Sequence, residues 1–231
     1  MKIVAITGAG ISAESGLSTF RGAGGLWEGH DIMEVASPEG WANKPELVLK
    51  FYNLRRQQLK TVVPNNAHLV LSELEKNFDV SVITQNVDDL HERAGSKNII
   101  HLHGELTKVR SCIDENYIID KEGEILIGEK CPKGGQLRPH IVWFGELVPM
   151  MDIATEIVRT ADVVVVIGTS LQVYPAAGLV LMAPPHAKIW YIDPQPSTEL
   201  KSYFGDRLTV LSSTATKGME VFKDWVEKQQ Q

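Results

Sequence analysis

The residues best suited to chemistry stand at the start of the chain, where a short apolar run ends on glycine. Residues Ile3 to Ile6 are followed by Gly8-Ala9-Gly10-Ile11-Ser12-Ala13, a G-x-G-x-x-A pattern. A buried strand that turns into a helix through two glycines is typical of dinucleotide-binding proteins, because the backbone can approach a pyrophosphate closely. The pattern predicts a nucleotide site, and a strand-to-helix turn without a nucleotide is the alternative.

Three further apolar runs end on polar residues. The run VSVI is followed by Thr84-Gln85-Asn86-Val87-Asp88, the run VVVVI by Gly168-Thr169-Ser170, and the run IWYI by Asp193. Ligands of open parallel sheets bind beyond the carboxyl ends of the strands, so these residues and the glycine turn point to one crevice. Each polar end taken separately is also explained as a capped helix start, since Asn, Asp and Ser bond the local backbone.

An ordinary hydride-transfer dehydrogenase fits this sequence less well. In that class an Asp or Glu follows the second strand, about twenty residues after the glycines, and binds the ribose hydroxyl. Here residues 20–30 contain four glycines between positions 22 and 29, and no acidic residue ends an apolar run. We predict a mobile loop that closes over a bound cofactor, and a surface connector is the alternative.

The helix predicted over Pro45–Lys60 carries an arginine on its apolar side. At about 100° per residue, with Val48 at zero, Arg55 falls at about −20° and Arg56 at about 80°. Tyr52 is three residues before Arg55, so the two side chains can converge. We predict a receptor for a ligand's carboxylate, with Arg55 as the planar clamp and Tyr52 as the hydroxyl donor. The alternative is that Arg55 extends to solvent or pairs with an internal carboxylate.

Two histidines, His101 and His103, follow the apolar pair Ile99-Ile100 and precede Gly104. In an extended segment they face the same side, and either has a pKa suited to general-base catalysis near neutral pH. The spacing does not choose between them, and a hydrogen-bonded structural histidine is the alternative for each.

The only cysteines are Cys112 and Cys131. A ribbon-type zinc site needs four ligands, usually supplied by two C-x2-C pairs. The positions three residues after these cysteines hold Glu115 and Gly134, and glycine offers no ligand. Two ordinary thiols therefore fit this pattern better than a structural zinc site.

The composition bounds the class of protein. The chain has 231 residues, 43% of them hydrophobic and 23% charged, which is typical of a soluble globular protein with one sizeable core. A formal net charge of −6 argues against bulk nucleic-acid binding. We expect no signal peptide and no membrane span, because the longest apolar run is Val163–Ile167. The low cysteine content favours a reducing, cytoplasmic setting.

The apolar runs predict an α/β fold, a Rossmann-like parallel sheet with helices on both faces and a small module formed by two insertions. The predicted strands are Ile3–Ile6, Val80–Ile83, Val163–Ile167, Ile189–Ile192 and Leu208–Leu211. The predicted helices are Ser12–Phe20, Pro45–Lys60, Asn66–Lys76, Met151–Thr160 and Met219–Lys228. The Rossmann-like part is predicted over about 1–29, 75–106 and 139–231, and the small module over a helical segment of about 30–74 and an irregular one of about 107–138.

Together these motifs resemble those of the sirtuins, a family of NAD-dependent protein-lysine deacylases, in the family's order from residue 3 to about 215. The resemblance implies a single catalytic domain over residues 1–231. The Tyr52-x-x-Arg55 pair is similar to that of the bacterial class III subgroup, which prefers acidic acyl groups such as succinyl and malonyl. The segments that carry the resemblance are Gly8-Ala9-Gly10-Ile11-Ser12, Glu14-Ser15-Gly16, Thr19-Phe20-Arg21, Gly25-Leu26-Trp27, Thr84-Gln85-Asn86-Val87-Asp88, His103-Gly104, Leu137-Arg138-Pro139, Val142-Trp143-Phe144-Gly145-Glu146 and Gly168-Thr169-Ser170-Leu171.

The resemblance also implies roles for the matched residues. NAD would be consumed rather than reduced, with release of nicotinamide and 2′-O-acyl-ADP-ribose, which accounts for the missing dehydrogenase acid. The catalytic residues would be His103, as general base, and Asn86. The residues implied to bind NAD are Gly8, Ala9, Gly10, Ser12, Phe20, Arg21, Trp27, Gln85, Asn86, Val87, Asp88, Gly168, Thr169, Ser170, Asp193, Gln195 and Ala215. Those implied to bind the acyl-lysine substrate are Tyr52, Arg55, Val142, Phe144, Gly145 and Glu146.

The sequence departs from the family's pattern in two places. Asp193 and Gln195 stand where the family usually has Asn and Glu, and the four zinc cysteines are reduced to a degenerate remnant, so we expect no zinc. We predict that packing holds the small module instead, through Tyr117, Ile118, Ile119, Ile125, Leu126 and Ile127.

The resemblance implies acyl-lysine proteins or peptides as partners. From the charge and the apolar runs we expect no nucleic acid and no membrane, and we expect a monomer. Two alternatives remain for the function: an ADP-ribosyltransferase on the same scaffold, and an NAD-sensing module without catalysis.

Overall fold

The computed structural model describes residues 1–19, 26–27 and 29–229, and only the backbone of Leu26 and Trp27. The strands in this part of the chain are β1 (Lys2–Thr7), β2 (Leu26–Trp27), β3 (His30–Asp31), β4 (Asp79–Thr84), β5 (Ile99–His101), β6 (Gly104–Ser111), β7 (Ile118–Asp120), β8 (Leu137–Ile141), β9 (Val163–Ile167), β10 (Lys188–Asp193) and β11 (Leu208–Ser212). The α-helices are α1 (Ala9–Ser12), α2 (Ile32–Val35), α3 (Pro38–Asn43), α4 (Pro45–Leu59), α5 (Asn66–Leu74), α6 (Leu90–Ala94), α7 (Met151–Val158), α8 (Leu200–Phe204) and α9 (Ala215–Lys228). Short 3-10 helices lie at Ala13–Ser15, Ala176–Met182 and Gly205–Arg207. Among the described helices, none has the length and apolar character needed to cross a membrane.

Six parallel strands form the main sheet in the order β5-β4-β1-β9-β10-β11. The chain runs outwards from β1 through β4 to β5 and then returns to β9 on the other side of β1. This reversal opens a crevice at the carboxyl ends of β1 and β9, because the two connections leave in opposite directions. The predicted fold class is confirmed.

The sheet is covered on both faces, as its apolar runs predicted. All five residues of β9, Val163–Ile167, are buried, whereas the edge strand β11 is partly exposed. One face packs against α5 and α9, and the other against α7, α8 and the 3-10 helix Ala176–Met182. Each of the five predicted strands is present. Strand β9 has the predicted bounds, and the other four are longer than predicted by one residue at one or both ends.

The helix predicted over Ser12–Phe20 is wrong in extent. Helix α1 spans Ala9–Ser12, a 3-10 turn follows it, and Gly16 ends the turn with a left-handed φ of 99°. Glycine adopts this conformation without a Cβ clash, so it terminates helices. Residues 17–19 are not helical, and Phe20 lies outside the described residues. Helix α9 begins at Ala215, earlier than predicted.

The stretch predicted to be irregular, about 107–138, contains an antiparallel sheet in the order β7-β6-β8. Helix α4 packs against this sheet, and its Asn53 is bonded to the connection between β7 and β8. The Asn53 side chain donates to the carbonyl of Ile125 at 3.0 Å and accepts from its N–H at 2.9 Å. The division of the chain into a Rossmann-like part and a small module at the boundaries given above stays a prediction.

The predicted packing of the small module is largely wrong. Ile125 is buried, but four other members of the predicted set are exposed, namely Ile118, Ile119, Leu126 and Ile127. The buried cluster consists instead of Leu49, Val109, Ile125, Cys131 and Leu137, with Trp41 and Tyr117 packed partly against it. The prediction failed because the 107–138 segment buries its apolar side chains against α4, which a local apolar run does not indicate.

Candidate functional site

A cleft of about 620 Å³ lies at the carboxyl ends of β1, β4 and β9 and extends to α4. It contains nearly all of the predicted site residues. Phe20 and Arg21 lie outside the described residues, as does the side chain of Trp27. All the others line the cleft: Gly8, Ala9, Gly10, Ser12, Tyr52, Arg55, Gln85, Asn86, Val87, Asp88, His103, Val142, Phe144, Gly145, Glu146, Gly168, Thr169, Ser170, Asp193, Gln195 and Ala215.

The glycine turn after β1 touches the turn after β9. The Gly10 N–H donates to the Gly168 carbonyl at 2.8 Å. A Cβ added at Gly10 would lie 2.6 Å from the Gly168 Cα, and one added at Gly8 would lie 2.6 Å from the Thr169 Cβ. The glycines are therefore required by the close approach of two strand ends, in addition to any role towards a ligand.

Three polar side chains form a hydrogen-bonded cluster in the floor of the cleft. Asn86 Nδ2 donates to Ser12 Oγ at 3.1 Å, and Ser12 Oγ donates to Asp88 Oδ2 at 3.0 Å. Asp88 Oδ1 also accepts from the N–H of Leu90 at 3.1 Å. Burial raises the pKa of Asp88, and the hydrogen bonds from Leu90 and Ser12 oppose that rise. The cluster holds the Asn86 amide in one orientation, and all three of its side chains are buried.

His103 lines the cleft beside this cluster. Its Nδ1 lies 3.1 Å from the Gln85 carbonyl oxygen, which can only accept, so Nδ1 carries the proton. The remaining nitrogen, Nε2, is then the basic one. Burial lowers the pKa of His103, although the bond to Gln85 opposes this, so the ring is neutral near pH 7. His101, the other candidate base, is absent from the described cleft wall.

At the far end of the cleft, α4 contributes Tyr52 and Arg55. The buried Tyr52 hydroxyl accepts from Trp143 Nε1 at 3.1 Å. Burial raises the pKa of Tyr52 far above its ordinary value, so the phenol keeps its proton. Arg55 is half-buried, donates from Nη1 to the Phe51 carbonyl at 2.7 Å and lies 3.8 Å from the centroid of the Phe51 ring.

The arginine that α4 buries most deeply is Arg56, not Arg55. The helical arc placed Arg56 at the edge, but only 7% of it is exposed, and its guanidinium donates to the carbonyls of Leu106, Lys121 and Gly123. Arg55 lies where the arc placed it, between the buried Val48 and Phe51, but it is only half-buried because it lines the cleft. The carbonyls of Leu106, Lys121 and Gly123 lie over the Arg56 side of α4, and the Arg55 side forms the cleft wall.

The segment that lines the rim, residues 142–146, is fixed by Arg138 and by its own side chains. Arg138 pairs with Glu146 at 2.6 Å, and the other Glu146 oxygen accepts from the Trp143 N–H at 2.8 Å. The guanidinium of Arg138 lies 3.9 Å from the Trp143 ring centroid. The sequence motifs contain Arg138 and Trp143 but predict no role for either residue, because their contacts with each other and with Glu146 form only in the folded chain.

The part of the cleft between β10 and α9 is also built by short polar contacts. Asp193, which is buried at the end of β10, accepts from the Gln195 N–H at 2.8 Å. Glu14 reaches α9 and accepts from the N–H and hydroxyl of Thr216 at 2.9 and 2.7 Å. Nothing in the sequence pattern indicated the Glu14 contact, which links the first turn to a helix about two hundred residues later.

The cysteines do not fit a tetrahedral zinc site. Cys131 is buried and its Sγ accepts from Ser111 Oγ at 3.2 Å, whereas Cys112 is exposed. Within the described ranges no third histidine, cysteine or carboxylate comes close enough to the two thiols to complete a ligand set. Four ligands are usual for structural zinc. The absence of zinc itself stays a prediction.

Comparison with known proteins agrees with this geometry. The model of the Sir2 family matches residues 8–175. A Bacteroides thetaiotaomicron protein named NAD-dependent protein deacylase is 53% identical over 227 residues, 96% of each chain, and a Helicobacter pylori J99 protein of the same name is 58% identical over 193 residues, 84% of this chain and 82% of its own.

Solved structures give the same result. A Sir2 homologue–NAD complex superposes with a TM-score of 0.87 at 42% identity, over 99% of this chain and 90% of the other. Sir2 in complex with an inhibitor, 2′-O-acetyl-ADP-ribose and a deacetylated p53 peptide superposes with a TM-score of 0.78 at 29% identity, over 97% and 94%. Sequence and architecture agree over almost the whole length, and the chain belongs to the Sir2 family, as the resemblance to the sirtuins predicted.

Proposed function

We propose that this protein is an NAD-dependent protein-lysine deacylase of the class III type, which removes acetyl groups and acidic acyl groups such as succinyl and malonyl. The observation that carries the proposal is one continuous cleft with a partly buried base and a buried polar cluster at one end and Tyr52 with Arg55 at the other. The names of the most similar relatives and the NAD-bound structural neighbour support it.

The cleft suits NAD in size and in the distribution of its polar groups. NAD, when bound, supplies a ribose carbon that an acyl oxygen can attack and a nicotinamide that leaves. The turn of Gly8 to Ser12 would hold the pyrophosphate, and Asp193, Gln195 and Ala215 would face the adenosine part. The turn of Gln85 to Asp88 would bind the nicotinamide ribose. Phe20, Arg21 and Trp27 keep their predicted role on the closing loop.

His103 is assigned as the general base. Its Nδ1–H is held by Gln85, which leaves Nε2 as the proton acceptor for a ribose hydroxyl. Because its pKa is lowered, the ring is in the basic form at neutral pH. The Asn86 amide and the Asp88 carboxylate lie in a floor with little solvent, which strengthens their electrostatic effect on a reacting sugar.

Arg55 and Tyr52 are assigned to the acyl chain. A guanidinium stays charged at physiological pH and matches a carboxylate with two parallel hydrogen bonds. A neutral phenol beside it adds one donor. An acetyl group has no carboxylate and would reach the same cleft without this interaction, so both acyl types are accommodated and the acidic ones gain binding energy.

The test is nicotinamide release from acetyl-, succinyl- and malonyl-lysine peptides with NAD. We expect release with all three, faster with the acidic acyl groups, and 2′-O-acyl-ADP-ribose as the co-product by mass spectrometry. ADP-ribose attached to protein would instead identify a transferase, and absence of release with bound NAD would identify a sensing module. A zinc determination on the same preparation tests the prediction that no zinc is present.

A further inference from the structure

Two neighbouring backbone carbonyls in the turn after β4 each accept a hydrogen bond from a histidine. His103 Nδ1 lies 3.1 Å from the carbonyl oxygen of Gln85, and His101 Nδ1 lies 3.2 Å from that of Asn86. The proposed reaction uses His103 as its base and gives His101 no task. The His101 side chain is nevertheless 10% exposed, which leaves it little access to solvent.

The second nitrogen of His101 contacts a carboxylate. His101 Nε2 lies 2.7 Å from Glu92 Oε1 on α6, the distance of a charge-assisted hydrogen bond. A backbone carbonyl and an ionised carboxylate both only accept hydrogen bonds. Both ring nitrogens must therefore donate, and a histidine with two N–H groups is an imidazolium.

The charges that surround His101 favour this protonated form. Burial alone lowers the pKa of His101, but the hydrogen bond and charge of Glu92, together with Glu105 on β6, raise it above the ordinary value. Asp88 also interacts favourably with the His101 charge. Of the nearby cationic groups, Lys108 is paired with Glu105 at 2.8 Å, and burial keeps His91 neutral.

The residue that His101 holds is the one whose side chain completes the cleft floor. The Asn86 N–H donates to Thr84 Oγ1 at 3.0 Å and its side chain donates to Ser12 at 3.1 Å. With the bond from His101 to the carbonyl, three polar groups of Asn86 (its backbone N–H, its backbone carbonyl and its side-chain NH2) are each directed by a separate neighbour. A shift of the Asn86 carbonyl moves its Cα, and the side chain moves with it, because the carbonyl carbon and Cβ are both bonded to that atom.

We propose that His101 and Glu92 are positioning residues of this active site: the His101 imidazolium, held by Glu92, fixes the Asn86 carbonyl and thereby aims the Asn86 amide at the nicotinamide ribose. The inference rests on the proposed function for its kinetic readout. A neutral imidazole has one N–H, so loss of a proton from His101 leaves either Asn86 or Glu92 without its donor.

This arrangement sets two limits on the pH range of activity. Activity rises with pH as His103 loses its proton, which occurs below the ordinary histidine pKa. Activity falls at higher pH as His101 loses its proton, which occurs above that value. Activity is highest between these two pH limits, where His103 is neutral and His101 is charged.

The experiment measures kcat and KM for NAD between about pH 5.5 and 9 in the full-length wild type and in His101→Gln and Glu92→Gln. Glutamine at 101 keeps one uncharged donor, so we expect kcat/KM at pH 7 to fall about tenfold and the alkaline decline to disappear. In Glu92→Gln the decline should move to lower pH, because the carboxylate no longer stabilises the imidazolium. The acid limb should stay in place in both variants.

The matched control is His186→Gln, which removes a histidine from an exposed pair with Asp162 at 3.7 Å, outside the cleft. It should keep the wild-type profile. Thermal unfolding and direct NAD binding are recorded for every variant over the same pH range. A wild type without the alkaline decline overturns the proposal, and so does a variant that loses activity only in proportion to its stability.

The two proposals fail in different ways. If the wild type releases no nicotinamide from any acyl peptide, the proposed function fails, and NAD binding still tests His101. In that case weaker NAD binding at alkaline pH in the wild type, but not in His101→Gln, supports the positioning role. Binding that depends on pH identically in all three proteins contradicts it.

Discussion

The indole nitrogen of Trp143 donates to the hydroxyl of Tyr52 at 3.1 Å, although the two residues are 91 positions apart in the chain. This bond joins the segment on the rim of the cleft to α4. Arg138 stacks on the same indole and pairs with Glu146, so the rim and the proposed acyl end form one connected structure. Displacement of either element would alter the width of the cleft where an acyl-lysine chain would enter.

Replacement of Arg55 by methionine tests the assignment of the acyl end. We expect Arg55→Met to reduce desuccinylation by about tenfold to a hundredfold, because a carboxylate loses its charged partner. Deacetylation should change little, since the NAD site is intact. The measurement is kcat/KM on matched succinyl and acetyl peptides, with Lys50→Met on the exposed side of α4 as the control. Equal losses with both peptides would contradict the carboxylate receptor.

The adjacent arginine has the opposite expected effect. Arg56→Met leaves three backbone carbonyls, one buried and two partly buried, without their donor, so the free energy of unfolding should fall by about 3 kcal/mol. Arg55→Met should lower it by much less. The measurement is the free energy of unfolding of both variants and of the wild type in urea. A larger loss of stability in Arg55→Met than in Arg56→Met would refute the assignment of Arg56 as the structural arginine.

Replacement of His103 by alanine tests the base. We expect His103→Ala to abolish measurable turnover while NAD still binds, because the ring supplies proton transfer and little of the binding surface. Steady-state nicotinamide release and calorimetric NAD titration are compared in the variant and in His186→Ala, whose side chain lies outside the cleft. Near-normal turnover would remove His103 from the role of base.

The acid stability of the protein should depend on His68, which is buried beside Ser12. Burial lowers the pKa of His68 to about 4, and its Nε2 lies 3.5 Å from Ser12 Oγ. In the unfolded chain the pKa of His68 is about 6.5. The free energy of unfolding is therefore highest above that pH, and it falls as the pH decreases towards 4, because the unfolded chain binds the proton first. This loss amounts to about 3 kcal/mol.

The measurement is the free energy of unfolding as a function of pH in the wild type and in His68→Gln. The variant should show a flatter dependence between about pH 6.5 and 4, because it has no ring to protonate. The exposed control His186→Gln should keep the wild-type slope. If His68→Gln also keeps it, the acid sensitivity arises from another group.

Local patterns determined a large part of this fold. A strand buried on both faces needs consecutive apolar residues, so Val163–Ile167 was recognisable from the sequence alone. The polar residues after each run, such as Asn86 and Ser170, indicated the edge of the sheet where a ligand binds. The matched segments also predicted the family, because a fixed order of such segments is not expected by chance.

Only the tertiary structure decided which residues meet across long separations. The periodicity of α4 placed Arg55 in the apolar arc and Arg56 at its edge, but the carbonyls of Leu106, Lys121 and Gly123 enclose Arg56. An apolar arc does not say which neighbour covers each side. The same limit explains the exposed Ile118 and Ile119 and the antiparallel sheet in a stretch without an alternating pattern. Local sequence sets the backbone preference of each segment, whereas the choice between His101 and His103, or between two adjacent arginines, depends on contacts made after the chain has folded.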